Sequence, residues 1–253
     1  MTRTSKTAAM IGTGLIGRSW AVAFARGGYQ VRMFDVAPGA AEKSRALMPE
    51  MLRELATHGL LGGQDADTVM ARVRVASSMA EAVSGADYVQ ESGPEKREIK
   101  AEIFSAIEEH AGDDTVLASS TSIILPSLFT GHLARKAQCV VAHPLNPPHI
   151  IPAIEIVPAP WTSPDILERA RVIQTEIGQS PIVMKKEIDG FLMNRLQGAL
   201  LEECFRLIEG GYASAEDIDA GLKDGLAMRW SFIGPLETAD LNAPGGIRDY
   251  VER

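Results

Sequence analysis

Along the first two-thirds of the chain, short apolar runs alternate with stretches in which apolar residues recur at helical spacing, the pattern of buried strands joined by amphipathic helices. Thr7–Ile11 is such a run and ends in Gly12-Thr13-Gly14-Leu15-Ile16-Gly17; Ile16, Trp20 and Phe24 then repeat every fourth position until Gly27-Gly28 stops the helix. Gln30–Asp35 predicts the second strand, and further strands are expected at Val73–Ala76, Ala86–Glu91, Thr115–Ser120, Cys139–Ala142, Ala153–Val157 and Pro181–Met184. One helix is expected over Glu95–His110, and another is capped by Ser163, opened by Pro164 and closed before Gly178.

Two departures from this alternation define the domains. Helical patterns at about Ala40–His58 and Asp65–Arg72, joined by Gly59-Leu60-Leu61-Gly62-Gly63, exceed a single crossover; this pair, about residues 38–72, is expected to project from the sheet as a substrate clamp or a solvated excursion. Beyond Lys185–Ile188 every pattern is helical: Asp189 to about Glu209 with Asn194 on the second turn, a helix opened by Ser214-Ala215-Glu216-Asp217, and a shorter one after the turn Arg229–Pro235. The expected fold is α/β, a Rossmann-type, mostly parallel sheet over residues 1–187 with a smaller all-helical domain over 188–253. The chain stops at Arg253 in a helix just begun, so the helical domain is expected to be incomplete or to be completed by a partner subunit.

Composition narrows the class. With 45% hydrophobic and 23% charged residues the chain is an ordinary globular protein, and a net charge of -8 without a basic run argues against a nucleic-acid partner. Cys139 and Cys204 fit no metal or disulfide spacing, so no metal is expected. No apolar run approaches the roughly 18 residues of a membrane span, and the default location is a reducing cytoplasm.

Candidate chemistry lies at two places. In the glycine turn, Gly12 permits the bend, Gly14 lets the backbone approach a pyrophosphate, Gly17 lets helix and strand pack closely, and the helix N-terminus at Leu15 and Ile16 faces the phosphates. Asp35, 23 residues beyond Gly12, ends the next strand, where it accepts hydrogen bonds from a ribose and repels a 2′-phosphate; the cofactor expected is NAD rather than NADP. The second place is His143, with Glu155 twelve residues on and Pro144, Pro147, Pro148, Pro152, Pro158 and Pro160 stiffening the backbone, so that the two are expected on a rigid loop. A histidine beside a carboxylate is suited to general base catalysis, although a lone histidine at a strand is more often a structural hydrogen-bonding group. Glu95 and Lys100 near a helix start, and Ser122 after a strand, sit where a parallel sheet faces its ligand; a surface ion pair and a turn cap are the plain alternatives.

These motifs, in this order and at these intervals, resemble the 3-hydroxyacyl-CoA dehydrogenase family along nearly the whole chain. The likeness rests on Gly12–Gly17 with Asp35, Glu95 with Lys100, Ser122 in Ser-Thr-Ser, His143 with Glu155, and Gly190-Phe191-Leu192-Met193-Asn194-Arg195. His143-Pro144-Leu145-Asn146-Pro147-Pro148 and Phe232-Ile233-Gly234-Pro235-Leu236-Glu237 look like its lambda-crystallin or L-gulonate 3-dehydrogenase branch. The resemblance implies that His143 takes the proton of a substrate 3-hydroxyl while hydride passes to the nicotinamide, with Glu155 holding the imidazole. It also implies that Ser122 and Asn194 hydrogen-bond the substrate, and that Asn146 and Lys100, with Glu95 nearby, lie at the nicotinamide end of NAD.

Ser120, where acyl-CoA members usually have Asn, and Pro144-Leu145, where they have an aromatic pair, point away from a CoA thioester. The substrate expected is therefore a small L-3-hydroxy acid such as L-gulonate, with Arg229 as the carboxylate partner. A CoA thioester substrate and a non-catalytic, NAD-binding, crystallin-like role are the alternatives. Members usually continue through more C-terminal helices, and a homodimer through the helical domain is expected.

Overall fold

The computed structural model describes residues 6–252. Eight strands form one sheet in the order β3-β2-β1-β4-β5-β6-β7-β8: β1 Thr7–Ile11, β2 Gln30–Phe34, β3 Val73–Val75, β4 Tyr88–Glu91, β5 Val116–Ser119, β6 Cys139–Pro144, β7 Ala153–Pro158 and β8 Ser180–Val183. All neighbours are parallel except β6 and β7. The exception has a simple cause. Only residues 145–152 join these two strands, too few for a helical crossover, so the chain must return beside itself. The inner strands are apolar along their length because helices cover both faces, α1 (Leu15–Arg26) among them.

The inserted segment differs from expectation. It consists of α2 (Ala40–Ala46), α3 (Met48–Thr57) and α4 (Ala66–Met70), because Pro49, at the start of α3, cannot continue the hydrogen bonding of a single helix through Leu47. Nor does it project: Met48, Leu52, Leu55, Leu61 and Val69 are buried in one cluster with Trp20, Phe24 and Tyr29 of the α1 layer. Burial of each such side chain is worth about 1.5–3 kcal/mol, which holds the insert down on α1. The helical crossovers between the later strands are α5 (Met79–Val83), α6 (Arg97–Glu108), α7 (Pro126–Thr130) and α8 (Pro164–Glu176), with Ser163 accepting from the Ile166 amide as the cap. Two of them, α5 and α7, are five residues long, too short for helical periodicity to mark them.

The chain separates into two compact units, Met1–Met193 and Asn194–Arg253. The second carries α9 (Met193–Glu209), α10 (Ala215–Gly221), a π-helical turn at Leu222–Leu226, α11 (Ala227–Trp230), α12 (Pro235–Leu241) and α13 (Gly246–Glu252). Within these helices Thr238 is the one buried residue described, and Phe205 and Leu236, with Phe232 in the turn before α12, are exposed. No described helix is long and apolar enough to cross a membrane.

Candidate active site

Every parallel strand from β2 to β6 in the sheet order ends on the same edge, and the residues singled out in the sequence follow those ends: Gly12–Gly17 after β1, Asp35 after β2, Glu95 beyond β4, Ser122 after β5 and His143 at the end of β6. Strand order reverses between β1 and β4, and at such a switch point adjacent loops diverge and leave a crevice.

The residues there fit a dinucleotide. Gly12 has φ +84°, and a side chain on it would meet the Ser92 carbonyl at 2.8 Å; one on Gly17 would collide with the Gly12 carbonyl. A Cβ on Gly14 would meet nothing within 4 Å, so the space a phosphate needs is open. Gly14 also caps α1 without a side-chain acceptor, leaving the first-turn amides at Leu15 and Ile16 directed outward. Asp35 is fixed by the glycine turn itself: its Oδ2 accepts from the Thr13 amide at 2.7 Å and hydroxyl at 2.9 Å, and Oδ1 accepts from the Ala37 amide at 3.0 Å. Two carboxylate oxygens have about four acceptor positions, so capacity for a ribose remains. Thr13, buried at the centre of the motif, is a contributor that the glycine spacing conceals.

His143 and Glu155 do not lie on a loop, as the prolines suggested. They are directly opposed partners in the antiparallel ladder of β6 and β7, and the loop only joins their strands. Glu155 is fully buried; its Oε2 lies 2.6 Å from His143 Nδ1, while Oε1 accepts from the Leu192 and Met193 amides at 2.7 and 2.8 Å. Burial alone would push the Glu155 carboxyl up, but the bonds from His143, Met193 and Leu192 outweigh it and hold the group below the ordinary carboxylate range. An ionised carboxylate can only accept, so Nδ1 is a donor in this pair, and the neutral form of the ring with that tautomer has its lone pair on Nε2.

A second network fixes the serine loop. Glu95 Oε1 accepts from the Thr121 hydroxyl at 2.5 Å and the Ser122 amide at 2.9 Å, with the Ser122 hydroxyl at 3.4 Å. Partial burial raises the Glu95 carboxyl, and Thr121, Lys100 and Ser122 together bring it below its ordinary value. Lys100 is not a surface donor. Its side chain is 1% exposed and bonds both oxygens of the buried Glu91 at 3.0 and 2.9 Å, with Glu95 at 3.4 Å. Glu91 also accepts from the Ser119 hydroxyl and the Gly93 amide. Glu91 reads in the sequence as a plain strand end, because the burial of Lys100, nine residues downstream, leaves no mark there.

Ser120 has internal partners as well: it meets Trp20 Nε1 at 3.1 Å, Gln90 Nε2 at 2.7 Å and Ser92 Oγ at 2.9 Å. Its residue type therefore answers to the core around it, which weakens its value as a clue to substrate. Asn146 is exposed on the β6–β7 loop. Asn194 is the second residue of α9, not a second-turn residue, because 189–192 form a turn in place of the expected helix start. Arg229 is exposed on α11 of the helical unit. Among the described residues no cluster suits a metal ion.

Comparison with known proteins places this geometry. Residues 7–188 match the NAD-binding domain of 3-hydroxyacyl-CoA dehydrogenase, and residues 190–253 match its C-terminal domain. Lambda-crystallin of Oryctolagus cuniculus is 45% identical over 249 residues, 96% of this chain and 76% of the relative. L-carnitine dehydrogenase of a Pseudomonas species is 36% identical over 98% of this chain and 76% of its own length. Among solved structures, 5-formyl-3-hydroxy-2-methylpyridine 4-carboxylic acid 5-dehydrogenase, described as an NAD+-dependent dismutase, superposes with a TM-score of 0.84 at 36% identity, covering 95% of this chain and 77% of that one. With both family models matched, the chain belongs to the 3-hydroxyacyl-CoA dehydrogenase family as an NAD-dependent oxidoreductase of CH–OH groups.

Proposed function

We propose that the protein oxidises the 3-hydroxyl of a small, free L-3-hydroxy acid resembling L-gulonate, with His143 as the base and Glu155 as its orienting partner. The observation that carries this reading is the doubly anchored carboxylate, with one oxygen on His143 Nδ1 and the other on two backbone amides. His143 Nε2 takes the hydroxyl proton, and the ionised Glu155 stabilises the positive charge that the imidazole gains. NAD, when bound, supplies acceptance of the hydride. Ser122, held by Glu95, and Asn194 are assigned to hydrogen bonds with the substrate; Asn146 and Glu95 are assigned to the nicotinamide end, with Lys100 acting through the carboxylates it bonds. Arg229 is assigned to the substrate carboxylate.

A free acid rather than a thioester is supported by the relative named for L-carnitine, itself a free 3-hydroxy acid. The exposed apolar side chains of α9, Leu196, Leu200, Leu201 and Phe205, support pairing of the helical unit with a second copy.

A panel of L-gulonate, 3-hydroxybutyrate, L-carnitine and, in the reducing direction, acetoacetyl-CoA, followed by NADH absorbance, tests the assignment. Turnover of a free acid that disappears in His143→Ala is expected, as is a raised KM in Arg229→Ala. Turnover confined to the thioester would refute the substrate class, and an active His143→Ala the mechanism.

A further inference from the structure

Glu155 owes two of its three bonds to a backbone conformation that is unfavourable for the residue producing it. Gly190 and Phe191 have consecutive positive φ angles, +76° and +48°. For glycine this is ordinary, but for a bulky residue it is an outlier that persists only where the surroundings impose it. Successive residues in such a turn direct neighbouring amides toward one point, and here the Leu192 and Met193 amides converge on Glu155 Oε1 at 2.7 and 2.8 Å. The Phe191 amide is tied to the Ile188 carbonyl at 2.9 Å, which closes the turn.

A second glycine would make the same turn without strain, so the side chain must have another use. The Phe191 ring is fully buried in the core cluster containing Leu117, Val141 and Val157, and its centroid lies 5.7 Å from that of His143, tilted by 53°. His143 thus has an apolar ring beside it and a carboxylate on Nδ1. One residue supplies the first and, through its backbone, anchors the second.

We infer that Phe191 is a positioning residue for proton transfer: its buried ring sets the imidazole, and its left-handed backbone aims the two amides that fix Glu155. The inference rests on the reading of His143 and Glu155 as the acting pair. The ring offsets the backbone strain by its burial, which accounts for a large apolar residue at a position that glycine would occupy more easily.

Two substitutions remove the ring, one keeping the backbone strain and one relieving it. Phe191→Leu keeps apolar bulk and the positive φ but loses the planar wall; Phe191→Gly relieves the backbone and removes the ring. In both, kcat is expected to fall on the order of 10- to 100-fold while KM for NAD stays within about twofold. A downfield proton resonance from His143 Nδ1–H, visible in the wild-type protein by NMR, is expected to shift or broaden in both. Variants of lower melting temperature that keep kcat per folded molecule and an unchanged resonance would overturn the inference, since a merely structural side chain behaves that way. Should neither variant fold, the wild-type amides of Leu192 and Met193 carry the test: slow hydrogen exchange, with resonances that move in Glu155→Gln, is expected, and fast exchange or unmoved resonances would overturn it. The resonance readouts need no turnover, so they stand apart from the His143→Ala assay, whose failure would remove the catalytic assignment and not the anchoring.

Discussion

Glu155→Gln is the substitution that most directly separates the charge of this carboxylate from its shape. The wild-type group accepts at both ends, from His143 Nδ1 and from the Leu192 and Met193 amides. An amide has one oxygen and one NH2, so it cannot do both. If its oxygen faces His143, the NH2 points at two backbone donors, and three donors converge in a fully buried site. The lower-energy choice keeps the oxygen on the backbone and turns NH2 toward His143. Nδ1 must then accept, the ring proton moves to Nε2, and the nitrogen that should take the substrate proton already carries one. General base catalysis is commonly worth 10²–10⁴-fold, so kcat should fall by about that factor, equivalent to about 3–5 kcal/mol of barrier. The glycine turn and Asp35, assigned to the phosphates and ribose, lie at β1 and β2, away from Glu155, so the NADH dissociation constant should stay within about threefold. Steady-state rates and fluorescence titration on the same preparation measure both quantities. Because the pair acts as a unit, His143→Ala with Glu155→Gln should be about as slow as His143→Ala alone. A Glu155→Gln enzyme within threefold of wild-type kcat, or losses that simply multiply in the double variant, would refute the coupling.

Two further outcomes follow from the buried charges. Glu91→Gln leaves the Lys100 ammonium, 1% exposed, with the longer Glu95 contact at 3.4 Å in place of a buried carboxylate and should destabilise the fold by about 3–5 kcal/mol, whereas Glu91→Leu with Lys100→Met should recover most of that in urea unfolding; equal losses in both would show that the pair is not the source. Acid should act through His149, Glu155 and Glu95, alongside carboxylates such as Glu81 and Glu176 that are also lowered. Burial, then Arg26 and Arg18, lower His149 from 6.5, so the unfolded chain binds the extra proton first and stability should decline as pH falls below about 6.5. Glu155 and Glu95 are lowered from 4.5, so their contribution, complete above that value, is lost as pH falls through their folded values. His149→Gln should flatten the upper part of a melting-temperature profile and leave the lower part; an unchanged slope between pH 7 and 5 would refute the assignment.

What could be read from residue types was whatever leaves a mark in them. A turn that rejects every side chain demands glycine, so Gly12 and Gly17 are visible, and Asp35 shows because it ends the strand that follows the glycine turn, 23 residues beyond Gly12. Register leaves no such mark. That His143 and Glu155 oppose each other depends on an antiparallel return between β6 and β7, and the prolines between them suggested a loop instead. Glu91 and Phe191 were hidden for a related reason: one ends a strand, the other passes for a helical apolar residue, and neither a buried ion pair nor a positive φ can be inferred from Glu or Phe alone. Asp189 likewise resembled a helix cap, yet α9 begins at Met193, because the turn that holds Glu155 occupies the intervening residues.

The ladder also explains why position, not charge alone, should decide what Glu155 does. Antiparallel pairing places opposed side chains on the same face with their Cβ atoms about 4.5–5.5 Å apart, and the flanking pairs Ala142 with Ile156 and Pro144 with Ile154 hold that register through buried residues. The Cα of residue 155 is therefore fixed relative to both His143 and the 190–193 turn. Glu155→Asp keeps the negative charge but retracts the carboxylate by one carbon–carbon bond, about 1.5 Å. From a fixed Cα it can then hold His143 or the two amides, not both at hydrogen-bonding distance. Loss of either anchor should lower kcat on the order of 10- to 100-fold, between wild type and Glu155→Gln, with NADH affinity unchanged. Were charge sufficient, Glu155→Asp would match wild type; were the carboxylate only a core hydrogen-bond acceptor, Glu155→Asp and Glu155→Gln would both lower the melting temperature and leave kcat alone. The intermediate rate, with its NADH affinity intact, distinguishes a placed carboxylate from either.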